Sequence, residues 1–148
     1  YISWDILITI ACAFAISKAM VNSGLADMIA NFIIELSYSH GPYVLLAILY
    51  IITNIITEVI TNNAAAALSF PLALSISHQL GVDPKPFFMV ICIAASAGFT
   101  TPIGYQTNLI VQGIGNYKFT DFVRVGLPLN IIVFLISIFL IPQIWPFE

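Results

Sequence analysis

TEVITNNAAAALSFP, residues 57–71, places a carboxylate and two adjacent amides, Glu58, Asn62 and Asn63, in the middle of the longest apolar stretch of the chain. In hydrocarbon such groups are costly unless something pairs with them. The flanking segments, 43–60 and 64–80, are apolar, and ThrAsnAsn joins them without a charged or glycine-rich loop. Two full crossings would force so short a connection to a membrane surface. A hairpin that enters, turns inside and leaves by the same side puts it at mid-depth, where irregular backbone is tolerated only if protein or water satisfies it. Polar residues at the turn itself favour the hairpin.

The rest of the chain fits that setting. Of its 148 residues, 60% are hydrophobic and 7% charged, against roughly 25% charged in soluble domains. Apolar runs of about 17 to 25 residues recur, the pattern of helices crossing a bilayer. No series of ten-residue segments alternates with period two, which argues against a barrel. The expectation is an all-α integral membrane protein in the lipid bilayer. A net charge of −3 from few, scattered ionisable residues does not suggest nucleic acid as a partner. Cys12 and Cys92 lie in apolar helical runs and read as small core residues rather than a disulfide or metal site. The chain starts at Tyr1 with no Met and no cleavable signal pattern, and is expected to be a piece of a longer one.

Residues 4–21 form a first spanning helix, interrupted near its end by Ser17 and Lys18 and stopped by AsnSerGly at 22–24. Residues 25–37 place Leu25, Met28, Ile29, Phe32, Ile33 and Leu36 on one face and Asp27, Asn31 and Glu35 opposite, an amphipathic helix that reads as lying in the interface. HisGlyPro at 40–42 breaks the chain, and GVDPKP at 81–86 is an exposed turn. Helix resumes over 87–99, is interrupted at TTPIGYQTN (100–108), and continues weakly over 109–115. Lys118, Asp121 and Arg124 mark an interfacial junction before a last spanning helix at 125–142, with WPF at 145–147 as an interfacial anchor. His40 and His78 read as surface residues. If 43–80 is a hairpin, Lys18 and Lys85 fall near one surface and Lys118 and Arg124 near the other, so charge leaves the orientation open.

Two polar interruptions, 61–63 and 100–108, therefore each divide an apolar region into half-helices. Each break frees carbonyls ending one half-helix and N–H groups starting the next. The N–H ends attract anions and the carbonyl ends cations, the layout of a secondary transporter's mid-membrane site. Thr61, Asn62 and Asn63 offer hydroxyl and amide donors at a helix start, and Asn108, after Thr107, sits at an N-cap type position. Neither break contains Lys or Arg. An anion bound without a fixed positive charge suggests a co-transported cation, and Thr57, Thr61, Asn62 and a carbonyl near Gly104 are candidate oxygen ligands for Na+. Three plainer readings stand beside this one. The asparagines can satisfy a turn, Pro102 and Gly104 can make a kink without ligands, and Glu58 can cap freed N–H groups.

Thr57-Glu58-x-x-Thr61-Asn62-Asn63-Ala64 resembles the Thr-Glu-x-x-Ser-Asn-Thr-Ala signature of divalent anion/sodium symporters, the family of dicarboxylate, citrate and sulfate carriers. Pro102, Gly104, Tyr105-Gln106, Asn108, Val111, Gly113 and Gly115 resemble that family's following loop. The resemblance implies the second, carboxy-terminal inverted repeat of an elevator-type transporter that works as a homodimer with its amino-terminal repeat. It divides the chain into a scaffold-side part (1–42), a re-entrant helical hairpin (43–80), and a transport-side broken helix with a final spanning helix (81–148). It implies Na+ held by Thr57, Ile60 (backbone), Thr61, Asn62 and Gly104 (backbone). It also implies a small divalent anion facing Thr61, Asn62, Asn63, Tyr105, Gln106, Thr107 and Asn108, in a multi-pass protein of the plasma (inner) membrane. Asn63 in place of the family's usual Thr, and Tyr105-Gln106 in place of its Thr-Pro, alter the anion-facing surface and resemble the sulfate-type branch. Sulfate or a similar oxyanion is therefore favoured over a dicarboxylate. The rival readings are an arsenite or Na+/H+ type carrier, in which Glu58 carries cargo, a channel, and a non-transporting membrane subunit. With no Ser/His/Asp set, HExxH or facing acidic pair, an enzyme is not expected.

Overall fold

The computed structural model describes residues 4–37 and 41–148. His40 lies outside them. The described residues form seven helices: α1 (Trp4–Asn22), α2 (Leu25–Leu36), α3 (Gly41–Thr57), α4 (Asn62–Leu80), α5 (Lys85–Ser96), α6 (Gln106–Gly115) and α7 (Phe119–Ile144). α7 is long and apolar enough to cross a bilayer alone; α1 and α2 pass together only as one span bent by 72°. Gly24 makes that bend, at φ 72°, a left-handed conformation costly for residues with a Cβ. α1 itself runs unbroken through Ser17 and Lys18, correcting the expected interruption.

α4 is the central helix, packed against α1, α2, α3 and α5, while α7 packs on α5 and α3. On α3 the stripe Leu45, Leu46, Leu49, Tyr50, Thr53 and Thr57 is buried, and it meets Leu72, Ala73 and Ile76 of α4 and Phe87, Val90, Ile91 and Ala94 of α5. α3 and α4 run antiparallel: Thr53 Oγ1 donates to Ser69 Oγ at 2.9 Å and Thr57 lies beside Asn62. The pair is a helical hairpin as expected, but its turn falls earlier. Residues 58–61 make it, and Asn62 and Asn63 open α4, because Thr61 takes the cap position and its Oγ1 accepts from Ala64 N at 3.4 Å.

The interruption of the next region also falls earlier, at 97–105. α5 begins at Lys85, since a proline is tolerated in a first helical turn, and Pro86 stands there. α6 is capped at Tyr105 rather than Asn108, which is the third residue of the helix. None of α6 is buried, and it packs against no other helix among the described residues. α7 starts at Phe119, inside the expected junction, because the Asp121 carboxylate accepts from Lys118 N at 2.8 Å and caps the helix.

Two further expectations change. The apolar stripe of α2 is divided: Ala26, Ala30 and Ile33 face the core, while Met28 and Phe32 face outward. Asp27, on the opposite face, accepts a hydrogen bond from Ser75 of α4. Cys12 and Cys92 are exposed rather than in the core. Phe147, in the segment expected to anchor at the interface, packs between Tyr43 and Phe87, with ring centroids 5.3 and 5.6 Å away. His78 is exposed, as read. In the 81–86 turn Asp83 accepts from Lys85 N at 2.9 Å, which holds its carboxyl below the usual range.

The hairpin tip and the interruption meet α7 at its middle. Glu58 and Thr100 both bond to Asn130, the twelfth of the 26 residues of α7. At 1.5 Å per residue this contact lies ~16 Å from one end of α7 and ~21 Å from the other. α7 comes this close because Gly126 has no side chain: a Cβ there would lie 2.0 Å from Phe99 O and 2.8 Å from Thr100 Cα. Gly126→Ala is therefore expected to destabilise the folded protein by about 1–3 kcal/mol or more, the usual cost of overpacking, read as a lower melting temperature of the purified full-length protein in detergent.

Candidate functional site

Breaking α5 from α6 leaves carbonyls at the end of one and N–H groups at the start of the other without helical partners. Side chains take up many of them. Asn54 Nδ2 donates to Ala97 O at 2.9 Å and Ala94 O at 3.3 Å. Asn108 Nδ2 donates to Gly98 O at 3.0 Å and Thr101 O at 3.1 Å. Glu58, at the hairpin tip, accepts from Thr100 N and Thr101 N, one on each carboxylate oxygen, both at 2.8 Å. That is the capping role open to a carboxylate one turn before a break, and Asn130 Nδ2 adds a third bond at 3.1 Å.

On one side of this junction oxygens gather where α3 and α5 end. Thr57 Oγ1, fully buried, lies 2.6 Å from Ala95 O and 2.8 Å from Asn62 Oδ1. The end of the Asn62 side chain also lies 3.1 Å from Ala95 O and 3.2 Å from Gly104 O. Thr57 has one proton and so can satisfy only one of its two acceptors. With the amide nitrogen of Asn62 turned inward, its two protons are shared among Thr57 Oγ1, Ala95 O and Gly104 O, the Thr57 proton goes to Ala95 O, and hydrogen bonds close the cluster. With the amide oxygen inward, four neutral oxygens face one another, the donor set that hard cations take. By donor type these residues suit a Na+ ion, though oxygens spaced 2.6–3.2 Å apart would have to separate to admit it.

On the other side two helices begin. Thr61, Asn62 and Asn63 at the start of α4 and Tyr105 and Gln106 at the start of α6 line one cavity of about 350 Å³, with Ile103, Gly104 and Thr9 of α1. Two helix N-termini therefore open on one space whose lining carries no charged side chain, and their N–H ends favour an anion. Of the residues singled out in the sequence, Thr61, Asn62, Asn63, Gly104, Tyr105 and Gln106 come together here. Thr57 lies behind them, in the oxygen cluster. Ile60 is in the turn, its N–H bonded to Ile56 O at 3.0 Å. Thr107 and Asn108 do not line the cavity; Thr107 is exposed on α6, and the Asn108 amide is turned back onto the break.

Sequence reasoning missed Ala95, Thr9, Asn54 and Asn130. The backbone carbonyl of Ala95 leaves no trace in residue type. Asn54 and Asn130 had a usable signal, since each is an amide in an apolar helix, where such groups usually have a partner.

The profile of the citrate transporter family matches residues 1–147. The chain belongs to this family. Sodium/sulfate cotransporter 1 of Chlamydomonas reinhardtii is 38% identical over 141 residues, 95% of this chain and 16% of that protein. The uncharacterized transporter YfbS of Escherichia coli is 36% identical over 146 residues, 99% of this chain and 24% of that protein. The Na(+)/citrate cotransporter of Rattus norvegicus is 31% identical over 144 residues, 97% of this chain and 25% of that protein. The chain thus spans about a quarter or less of the length of these relatives. The resemblance carried by the two motifs is borne out: the family is one of transporters rather than of enzymes.

If Asn108 supports the break rather than the ligand, Asn108→Ala leaves two carbonyls unpaired and is expected to cost about 1–3 kcal/mol of stability. Thr107→Ala should stay within ~0.5 kcal/mol of wild type. Urea or thermal unfolding of the two full-length variants checks the contrast.

Proposed function

We propose that this chain is the carboxy-terminal repeat of a Na+-coupled symporter of a divalent anion, with sulfate or a similar oxyanion favoured over a dicarboxylate. The observation that carries the reading is the meeting of hairpin tip and broken helix halfway along α7. Carbonyl ends gather there around Thr57 and Asn62, and helix N-termini around the cavity. A tip at mid-α7 supports a re-entrant hairpin, because α3, at 17 residues, is ~25 Å long and falls short of a ~30 Å hydrocarbon core.

In this reading Thr57, Asn62 and the carbonyls of Ala95, Gly104 and Ile60 hold Na+, with Thr61 beside them. Thr61, Asn62, Asn63, Tyr105 and Gln106 face the anion, and Asn108 acts through the fold of the break. The ion's charge supplies the attraction that the uncharged cavity lacks. Asn62 serves both ligands, one through its side chain and one through its place in the first turn of α4. Each ligand then favours the state the other needs, which is coupling. The complete carrier pairs this repeat with an amino-terminal one, acts as a homodimer in the plasma (inner) membrane, and moves hairpin and broken helix together by an elevator motion. The preference for sulfate is supported by Asn63 and Tyr105-Gln106 and by the name of the Chlamydomonas relative. The family's description and the rat relative speak for a carboxylate.

Uptake of labelled sulfate, succinate and citrate into liposomes holding the full-length protein, with and without a Na+ gradient, tests this. The expected result is Na+-driven sulfate uptake that Asn62→Ala reduces at least ~100-fold. Na+-driven uptake of a carboxylate alone would replace the substrate and keep the coupling. Uptake indifferent to Na+ or to Asn62 would overturn the proposal.

A further inference from the structure

Glu58 has no place in either ligand shell, yet it is the most heavily bonded side chain of the junction. Its carboxylate takes the N–H groups of Thr100 and Thr101. Its backbone carbonyl accepts from Thr101 Oγ1 at 2.9 Å, and the same hydroxyl accepts from Gly104 N at 2.9 Å. Its Oε2 lies against Gly104 Cα, where a Cβ would come within 2.8 Å of it. The hairpin tip therefore grips the break from residue 100 to residue 104. The carbonyl of Gly104, on the other face of that turn, is the one that meets the Asn62 amide at 3.2 Å. Asn130 extends the grip to α7 by bonding Glu58 Oε1 and Thr100 Oγ1, at 3.1 and 2.6 Å.

We infer that Glu58 and Thr101 are positioning residues that set Na+ affinity by fixing the Gly104 carbonyl against Thr57 and Asn62. This rests on the Na+ reading above. The Thr101 hydroxyl is the joint of the device. It donates once, to the tip, and accepts once, from Gly104, so tip and carbonyl-bearing turn cannot shift independently while it is present. Without it the Gly104 peptide loses its anchor, and part of the energy of Na+ binding goes into ordering the turn. The anion contacts of the cavity are unaffected once Na+ is bound.

The test measures Na+ activation of anion uptake, and Na+-dependent thermal stabilisation, in the full-length protein carrying Thr101→Val, Thr101→Ser, Glu58→Gln or Asn62→Ala. Thr101→Val is near-isosteric and leaves the Glu58 charge in place, so it separates positioning from simple attraction between carboxylate and cation. It also carries the test alone should Glu58→Gln not fold. The Na+ midpoint is expected to rise about five-fold or more in Thr101→Val and Glu58→Gln, the order carried by one hydrogen bond, with the maximal rate recovering at saturating Na+. Thr101→Ser should restore the wild-type midpoint. A midpoint unmoved in Thr101→Val while Asn62→Ala abolishes Na+ dependence would overturn the positioning role and leave the Na+ site standing. A rate lowered equally at every Na+ concentration would overturn it too, marking a purely structural contact. Wild-type protein indifferent to Na+ in both measurements would overturn the Na+ reading and this inference with it.

Discussion

A helix broken within a membrane strands backbone N–H and C=O groups where no water reaches them, and each must find a partner in the protein. The described structure is organised around meeting that requirement at residues 97–105. Asn54, Asn108, Glu58 and Thr101 each supply a bond there, and they come from α3, α6, the hairpin turn and the break itself. The fold follows from where those groups must stand. α3 has to end beside the break for Glu58 to reach Thr100, which fixes the depth of the hairpin. α7 has to pass close enough for Asn130 to bond both, which requires glycine at 126.

This requirement also explains how far the sequence could be read. Helices, hairpin and interrupted region were legible because apolar periodicity and clustered polar residues report them directly. Their boundaries were not. Asn62, Asn63 and Asn108 look like turn residues by type, but Thr61 and Tyr105 hold the cap positions, so the asparagines stand inside first helical turns. α2 was misjudged for a similar reason. The sequence put its larger apolar side chains on one face of an interfacial helix, whereas small Ala26 and Ala30 let α4 approach, so that Ile33 turns inward while Met28 and Phe32 stay outside. Close packing between helices in a membrane selects small residues, so hydrophobic bulk points the wrong way there.

Within the site, what the sequence lacked was the partner of each group. That Glu58 caps the break depended on two N–H groups more than forty residues away. The grouping of Thr61, Asn62 and Asn63 with Tyr105 and Gln106 was readable, because both sets sit at breaks in apolar segments. The contributions of Ala95 and Gly104 through their carbonyls depend on backbone direction, which residue type does not encode.

The two breaks divide polarity between them in a way that bears on coupling. The carbonyl end of α5 faces the Thr57 cluster through Ala95 O, and the N-terminal ends of α4 and α6 face the cavity. Asn62 and Gly104 touch both regions, the only residues of the described junction placed to do so. In the proposed symport reading, a cation ordering the first region would order the wall of the second, without any lysine or arginine to hold an anion permanently. A permanent positive charge would bind the anion whether or not the cation were present and would weaken the coupling between them. Neutrality of the cavity is then a condition for symport rather than a deficit, and the carboxylate nearby does not undo it because its oxygens are committed to Thr100, Thr101 and Asn130.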